Sequence, residues 1–196
     1  MAETTSLTSR PALGGADVTA GAVRIRELDG LGVVSAAVSG GGRDAFATAL
    51  RQGYGATFPD VGRLAPAADG TTIARLQMDQ VWLVRPDGAG RTIEEARARL
   101  ETAAWLTDQS DGWAALELSD GDGGRAVREA LRRLITLDVD RMPADVATRT
   151  VMAHLAVVIL GMAETVTLLS PRSSAGDFLR AIERAAREAN MEGSPF

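Results

Sequence analysis

The chain has no cysteine and a single histidine, His154. The first absence removes disulfides, thiol nucleophiles and Cys-ligated zinc together. The second leaves no histidine pair for a metal. His154 sits in an alternating apolar run, residues 151–159, with no Asp, Glu or His two or four positions away. A general base needs an orienting partner, so His154 reads as a structural histidine. Aromatic residues make up only 4% of the chain, so the core must be built from aliphatic side chains. No apolar run approaches the roughly 18 residues of a membrane-spanning helix. No basic segment followed by an apolar one opens the chain, so no signal peptide is expected and the expected location is the cytoplasm. The formal net charge of −5 offers no basic stripe for nucleic acid.

Chemical motifs are equally scarce. There is no Gly-x-Ser-x-Gly nucleophile elbow. The stretch Ser119-Asp120-Gly121-Asp122-Gly123-Gly124 is rich in glycine. It lacks the Lys-Ser/Thr ending of a phosphate loop and the spacing of a dinucleotide fingerprint. Asp120 and Asp122 would repel a phosphate, and no Glu completes a calcium loop. Asp138 and Asp140 read as solvated loop acids after a helix. Trp105 and Trp113 read as core residues under helices. Arg172, beside Pro171 at a strand end, is the more suggestive charge, because a planar guanidinium suits paired hydrogen bonds to a carboxylate or carbonyl.

What is present is a doubled pattern. Residues 23–39 read as two short strands around an Asp29-Gly30 turn, followed by a glycine break and a helix over 43–53. Residues 104–119 read as two strands around Asp111-Gly112, followed by a second glycine break and a helix over 125–135. Ser39 aligns with Ser119 and Leu50 with Leu131. Each copy continues into another strand pair and another helix. The first pair is 71–76 and 80–84 around Met78-Asp79, and the second is 148–159 and 164–169, joined near Gly161. Ala45, Phe46, Ala49 and Leu50 mark the inner face of the first helix. Thr92 with Glu95 reads as a capping box for the second helix. Asp177 or a preceding serine reads as the cap of the last.

The expected fold class is therefore α+β, a duplicated β-β-α-β-β-α unit with antiparallel sheets and helices packed on one face. The expected divisions are a tail over 1–21, a first half over 22–103, a second half over 104–190 and a short tail over 191–196. At 196 residues, 45% hydrophobic and 24% charged, this is one compact pseudo-symmetric domain.

One family resemblance appears in the second half. The run Asp111-Gly112-Trp113-Ala114-Ala115-Leu116-Glu117-Leu118-Ser119, with Arg125 opening a helix and Leu137-Asp138 after it, resembles the gamma subunit of heterotetrameric sarcosine oxidase. So do Val146-Ala147-Thr148-Arg149-Thr150 with His154 and, above all, Ser170-Pro171-Arg172-Ser173-Ser174-Ala175 before a closing helix. In that family the last motif reads Arg-Ser-Phe/Tyr-Ala, and Ser174 stands here in place of the aromatic. The resemblance covers residues 105–189. It implies the fold of the glycine-cleavage T-protein, a folate-binding domain built from a duplicated unit. It implies alpha, beta and delta subunits as partners, in a complex that uses FAD, FMN, NAD and tetrahydrofolate to demethylate sarcosine. It implies no cofactor, metal or catalytic residue in this chain, and assigns Trp113, Arg125, Asp138, Thr150, His154, Arg172 and Ser173 to the fold or the subunit interface. Pterin recognition needs a buried acceptor, usually a carboxylate, and no acid is expected on a buried strand here. The alternatives are the matching subunit of an N-methyl amino-acid dehydrogenase and a small folate-dependent aminomethyltransferase.

Overall fold

The computed structural model of the chain describes residues 10–161 and 163–192. It contains two antiparallel sheets and four α-helices. In chain order the elements are β1 (Asp17–Ala20), β2 (Val23–Leu28), β3 (Gly32–Val38), α1 (Gly42–Tyr54), β4 (Leu64–Pro66), β5 (Thr72–Gln77), β6 (Gln80–Arg85), α2 (Arg91–Leu100), β7 (Ala104–Asp108), β8 (Trp113–Ser119), α3 (Arg125–Arg132), β9 (Ala147–Met152), β10 (Leu155–Leu160), β11 (Thr165–Pro171) and α4 (Ala175–Glu192).

Sheet A has the order β1-β2-β8-β11-β10-β9, and sheet B the order β4-β5-β6-β3-β7. Neither is confined to one half of the chain. β2 pairs with β8, with Ile25 opposite Leu118. β3 pairs with β7, with Ala37 opposite Trp105. The Asp29-Gly30 turn therefore closes no hairpin. It is a corner at which the chain leaves sheet A for sheet B, with the Ala89 amide donating to the Gly30 carbonyl. The segment around Asp111-Gly112 is the reverse corner. The reason lies in burial: Leu28, Leu31 and Trp113 flank these corners and all enter the layer between the sheets. The Met78-Asp79 turn does close a hairpin, joining β5 to β6 through the Gln77–Gln80 pair.

Three apolar clusters define four layers. Ile25, Leu116, Leu118 and Ile159 of sheet A pack on Leu131 of α3 and on Phe178 and Ile182 of α4. Val34, Ala36 and Leu83 of sheet B pack on Phe46 and Leu50 of α1 and on Ile93 and Leu100 of α2. Val33, Trp82, Val84, Ala115, Val158 and Leu169 fill the space between the sheets. Strand alternation explains the division, because neighbours along a strand point to opposite faces. Val33 joins the inter-sheet layer and Val34 the helix layer. Each sheet thus has helices on one face and the other sheet on its second face.

Several local expectations change. Asp17–Ala20, inside the stretch expected as a tail, forms β1 against β2. Residues 1–9 and 193–196 lie outside the described residues, while Met191 belongs to α4. Leu64–Pro66, outside the expected strand pairs, forms β4. The run 148–159 is two strands, β9 and β10, folded back at Ala153 and His154. Both turn residues have positive φ, 49° and 67°, as a two-residue primed turn requires. Each half therefore carries an extra strand beyond the expected β-β-α-β-β-α order. In α1 the inner face is Phe46, Leu50 and Tyr54, and Ala45 is exposed. The capping box is absent: Thr92 Oγ1 donates to the Gly88 carbonyl at 2.8 Å. Glu95 is engaged instead by Arg85 at 2.6 Å.

Candidate functional site

The residues singled out from the sequence do not converge on one site. Arg125 opens α3 on the surface and pairs with Asp122 at 2.5 Å. Asp138 is exposed and pairs with Arg141 at 3.3 Å. Thr150 lies on edge strand β9, opposite Val157. His154 is exposed at the tip of the β9–β10 turn, not on a strand, so it is no core histidine. Ser173 is exposed in a short 3-10 turn, Arg172–Ser174. Arg172 and Trp113 do come together, lining a shallow depression with Arg10 and Glu27. There the Arg172 guanidinium donates to the Arg10 carbonyl. Trp113 is half-buried and packs in the layer between the sheets, whereas Trp105 is 73% exposed. Both tryptophans thus depart from the expected place under helices.

A carboxylate that the sequence reading overlooked sits beside this depression. Glu27 lies on β2 with 7% exposure. It accepts hydrogen bonds from the Leu13 amide at 2.9 and 3.1 Å and from the Gly15 amide at 2.8 Å. A buried acid on a strand is what a pterin would need, but the chain's own backbone fills this acceptor. The alternation of β2 does place Glu27 on the inner face with Val23 and Ile25. The local signal was present, and the charge of the side chain masked it.

The glycine-rich stretch before α3 is filled in the same manner. Asp120 accepts from the amides of Asp122 and Gly124 at 2.8 Å and of Val127 at 2.9 Å. Burial pushes its pKa up, but the amide donors outweigh burial and hold it below the ordinary carboxylate value. An internal carboxylate thus occupies the donors that would cradle a phosphate.

A larger cleft opens between the sheets. Its volume is about 310 Å³, and it is lined by Ser35, Gln80, Trp82, Gln109, Trp113, Arg149 and the start of β10. Gln80 donates to the Ser35 hydroxyl at 2.7 Å. Trp82 and Trp113 meet edge to face, and the Arg149 guanidinium lies over the Trp82 ring, 4.8 Å from its centroid. Among the described residues no carboxylate comes within ion-pair distance of Arg149, and burial draws its pKa below the ordinary arginine value. The volume is at the low end of the ~300–1,000 Å³ that encloses drug-sized ligands. The lining holds no acid to accept from a pterin's ring N–H groups.

The densest group of charges lies elsewhere, where Asp69, Arg85, Glu95 and Arg99 meet above Tyr54. Arg85 reaches Glu95 at 2.6 Å and Asp69 at 3.7 Å. Arg99 binds Asp69 and reaches Glu95 at 3.5 Å. The four charges satisfy one another. Burial raises the Tyr54 phenol to about 12, which keeps it protonated at neutral pH. Among the described residues no group of three or more His, Cys, Asp or Glu is placed to hold a metal ion. No described helix is long and apolar enough to cross a membrane.

No family model and no curated protein matches the sequence. Solved structures do match in fold. A chain of the heterotetrameric sarcosine oxidase from Corynebacterium sp. U-96, in complex with pyrrole 2-carboxylate, superposes with a TM-score of 0.74 at 19% identity. The match covers 92% of this chain and 91% of that one. The glycine cleavage system aminomethyltransferase T from Bartonella henselae matches with a TM-score of 0.55 at 12% identity. That match covers 87% of this chain but 51% of the transferase, so the chain spans about half of its length. The two-sheet, four-helix α+β body described above is the fold this chain shares with a chain of heterotetrameric sarcosine oxidase and with part of an aminomethyltransferase T.

Proposed function

We propose that this chain is a non-catalytic, gamma-type subunit of a heterotetrameric sarcosine oxidase, where it supports assembly of the complex that oxidatively demethylates sarcosine to glycine. The observation that carries this reading is the end-to-end match to a sarcosine oxidase chain, over nine-tenths of both chains. The resemblance of Arg172-Ser173 and of the 111–119 run to the gamma family points the same way. On this reading the partners are the alpha, beta and delta subunits, in the cytoplasm, and FAD, FMN, NAD and tetrahydrofolate reside in those partners. Trp113, Arg125, Asp138, Thr150, His154, Arg172 and Ser173 serve the fold or the interface. The Arg172 contact with Arg10, which ties the segment before β1 to the end of β11, is consistent with such a role.

Residues 22–103 and 104–190 are read as two copies of one ancestral unit. Supporting this, the strand order β2-β8-β11-β10-β9 in one sheet has its counterpart in β7-β3-β6-β5-β4 in the other. Each sheet would then borrow its β2 or β7 strand from the opposite copy.

The match to aminomethyltransferase T favours a second reading, a folate-dependent one-carbon protein. The Glu27 carboxylate, already hydrogen-bonded by Leu13 and Gly15, weighs against it. Co-expression of the tagged chain with the other sarcosine oxidase subunits of its organism tests the first reading. Recovery of a yellow, sarcosine-oxidising complex is expected, and a colourless free chain would sink it. Calorimetric titration of the chain alone with tetrahydrofolate tests the second. The expected result is no heat of binding, and micromolar affinity would replace the subunit reading.

A further inference from the structure

The cleft between the sheets continues onto an exposed apolar margin. Antiparallel partners share a sheet face, so register places the residues around it. On sheet B, Ser35 pairs with Trp82, and in the next row Ala37 pairs with both Gln80 and Trp105. Trp105 therefore stands on the same face as the lining residues Ser35, Gln80 and Trp82. On sheet A, Arg149 pairs with Val158, and in the next row Val151 pairs with the lining residue Ala156. Trp105 is 73% and Val151 62% exposed, the one on an edge strand of sheet B and the other on an edge strand of sheet A.

A tryptophan so exposed on an edge strand leaves a large apolar surface in water. Buried tryptophan and arginine are the residues that most often dominate protein interfaces. At the rim of the same cleft the exposed guanidinium of Arg149 lies against the Trp82 ring without a described carboxylate in ion-pair reach, although this chain is acidic overall and engages Arg24, Arg43, Arg63, Arg85 and Arg99 with acids. An arginine held against an indole, with no acid in the cleft lining to engage it, is a docking point for an external carboxylate.

The geometry points to a protein-docking surface formed by Trp105 and Val151 around the Trp82–Trp113–Arg149 cleft, and to its occupant: a segment of a partner subunit with an aspartate or glutamate beside an apolar side chain. The carboxylate meets Arg149 as a bidentate pair beside the Trp82 indole. The apolar side chain covers Trp105 and Val151. This rests on the proposed subunit role and names the face that performs it.

The test uses the complex formed by co-expression with the other sarcosine oxidase subunits. Arg149→Glu and Trp105→Ser should each cut recovery of this chain with its partners at least tenfold. Met191→Ser, an equally exposed apolar position at the end of α4, should leave recovery unchanged. Unaltered circular dichroism and melting of the free variants confirm folding. In the wild-type complex, amide exchange should slow in β7 and β9 relative to the free chain. If the wild type assembles and both cleft variants assemble equally well, this surface is not the interface, and the subunit reading survives. If the wild type fails to assemble, the subunit reading itself falls. If the free chain is a dimer that Trp105→Ser dissociates, the occupant is a second copy and the partner assignment is overturned.

Discussion

Trp82 of sheet B and Trp113 of sheet A meet edge to face, with ring centroids 5.0 Å apart and planes inclined at 66°. They are the aromatic part of an inter-sheet layer built mostly of aliphatic side chains. An edge-to-face pair contributes about 0.5–1.5 kcal/mol beyond its burial. In a double-mutant cycle, Trp82→Leu and Trp113→Leu should show a coupling of that size in urea denaturation. Strict additivity would mean that the rings merely fill volume.

Asp69 gives the fold an acid-sensitive element. Burial pushes its carboxyl up, but hydrogen bonds from Arg99 and Thr71 outweigh that and lower it to about 2 from 3.8. The folded-state value lies below the unfolded one, so the stabilisation is complete above pH 3.8 and is lost as pH falls towards about 2. Asp69→Asn should cost roughly 1–3 kcal/mol at pH 7, because Arg85 and Arg99 lose a partner. The cost should shrink on acidification. Melting curves that run parallel for wild type and variant from neutral to strongly acidic pH would refute the assignment.

Asp120 organises the entry to α3 by accepting three backbone amides. Asp120→Ala should cost about 1–2 kcal/mol, in the range of a lost helix cap. Amide exchange at Gly124 and Val127 should accelerate. If protection at these two amides is unchanged, the carboxylate does not hold the loop.

The β9–β10 turn is built from the wrong residues for its shape. Ala153 and His154 both occupy positive φ, where a side chain costs roughly 1–2 kcal/mol per residue. Ala153→Asn combined with His154→Gly should therefore stabilise the protein by about 1–2 kcal/mol. A lower melting temperature would show that the His154 side chain contributes something the turn geometry does not reveal.

Helix positions and their inner faces are largely legible from local pattern. Ile93, Ala96 and Leu100 of α2 recur at helical spacing and are all buried. The β5–β6 hairpin is legible because its partners are neighbours along the chain. Cap chemistry is less so. Thr92 and Glu95 have the spacing of a capping box, but Arg85, brought up by sheet B, claims Glu95. Glu27 is half legible for a related reason: alternation puts it on the inner face of β2, but the amides that make its burial tolerable come from Leu13 and Gly15, in a stretch that reads as a tail. The candidate cleft is the least legible, since its walls come from β3, β6, β8, β9 and β10.

By itself the sequence determined which residues share a face, because the periods of strand and helix are properties of the backbone. It determined too that neither thiol chemistry nor a histidine pair is available. Tertiary structure alone decided which strand pairs with which, sending β2 and β3 to different sheets across a turn that looks like a hairpin. It also decided the different fates of Trp105, left in water, and Trp113, pressed against Trp82. Alternation says that two residues point the same way; whether anything lies above them depends on chain segments far away in sequence.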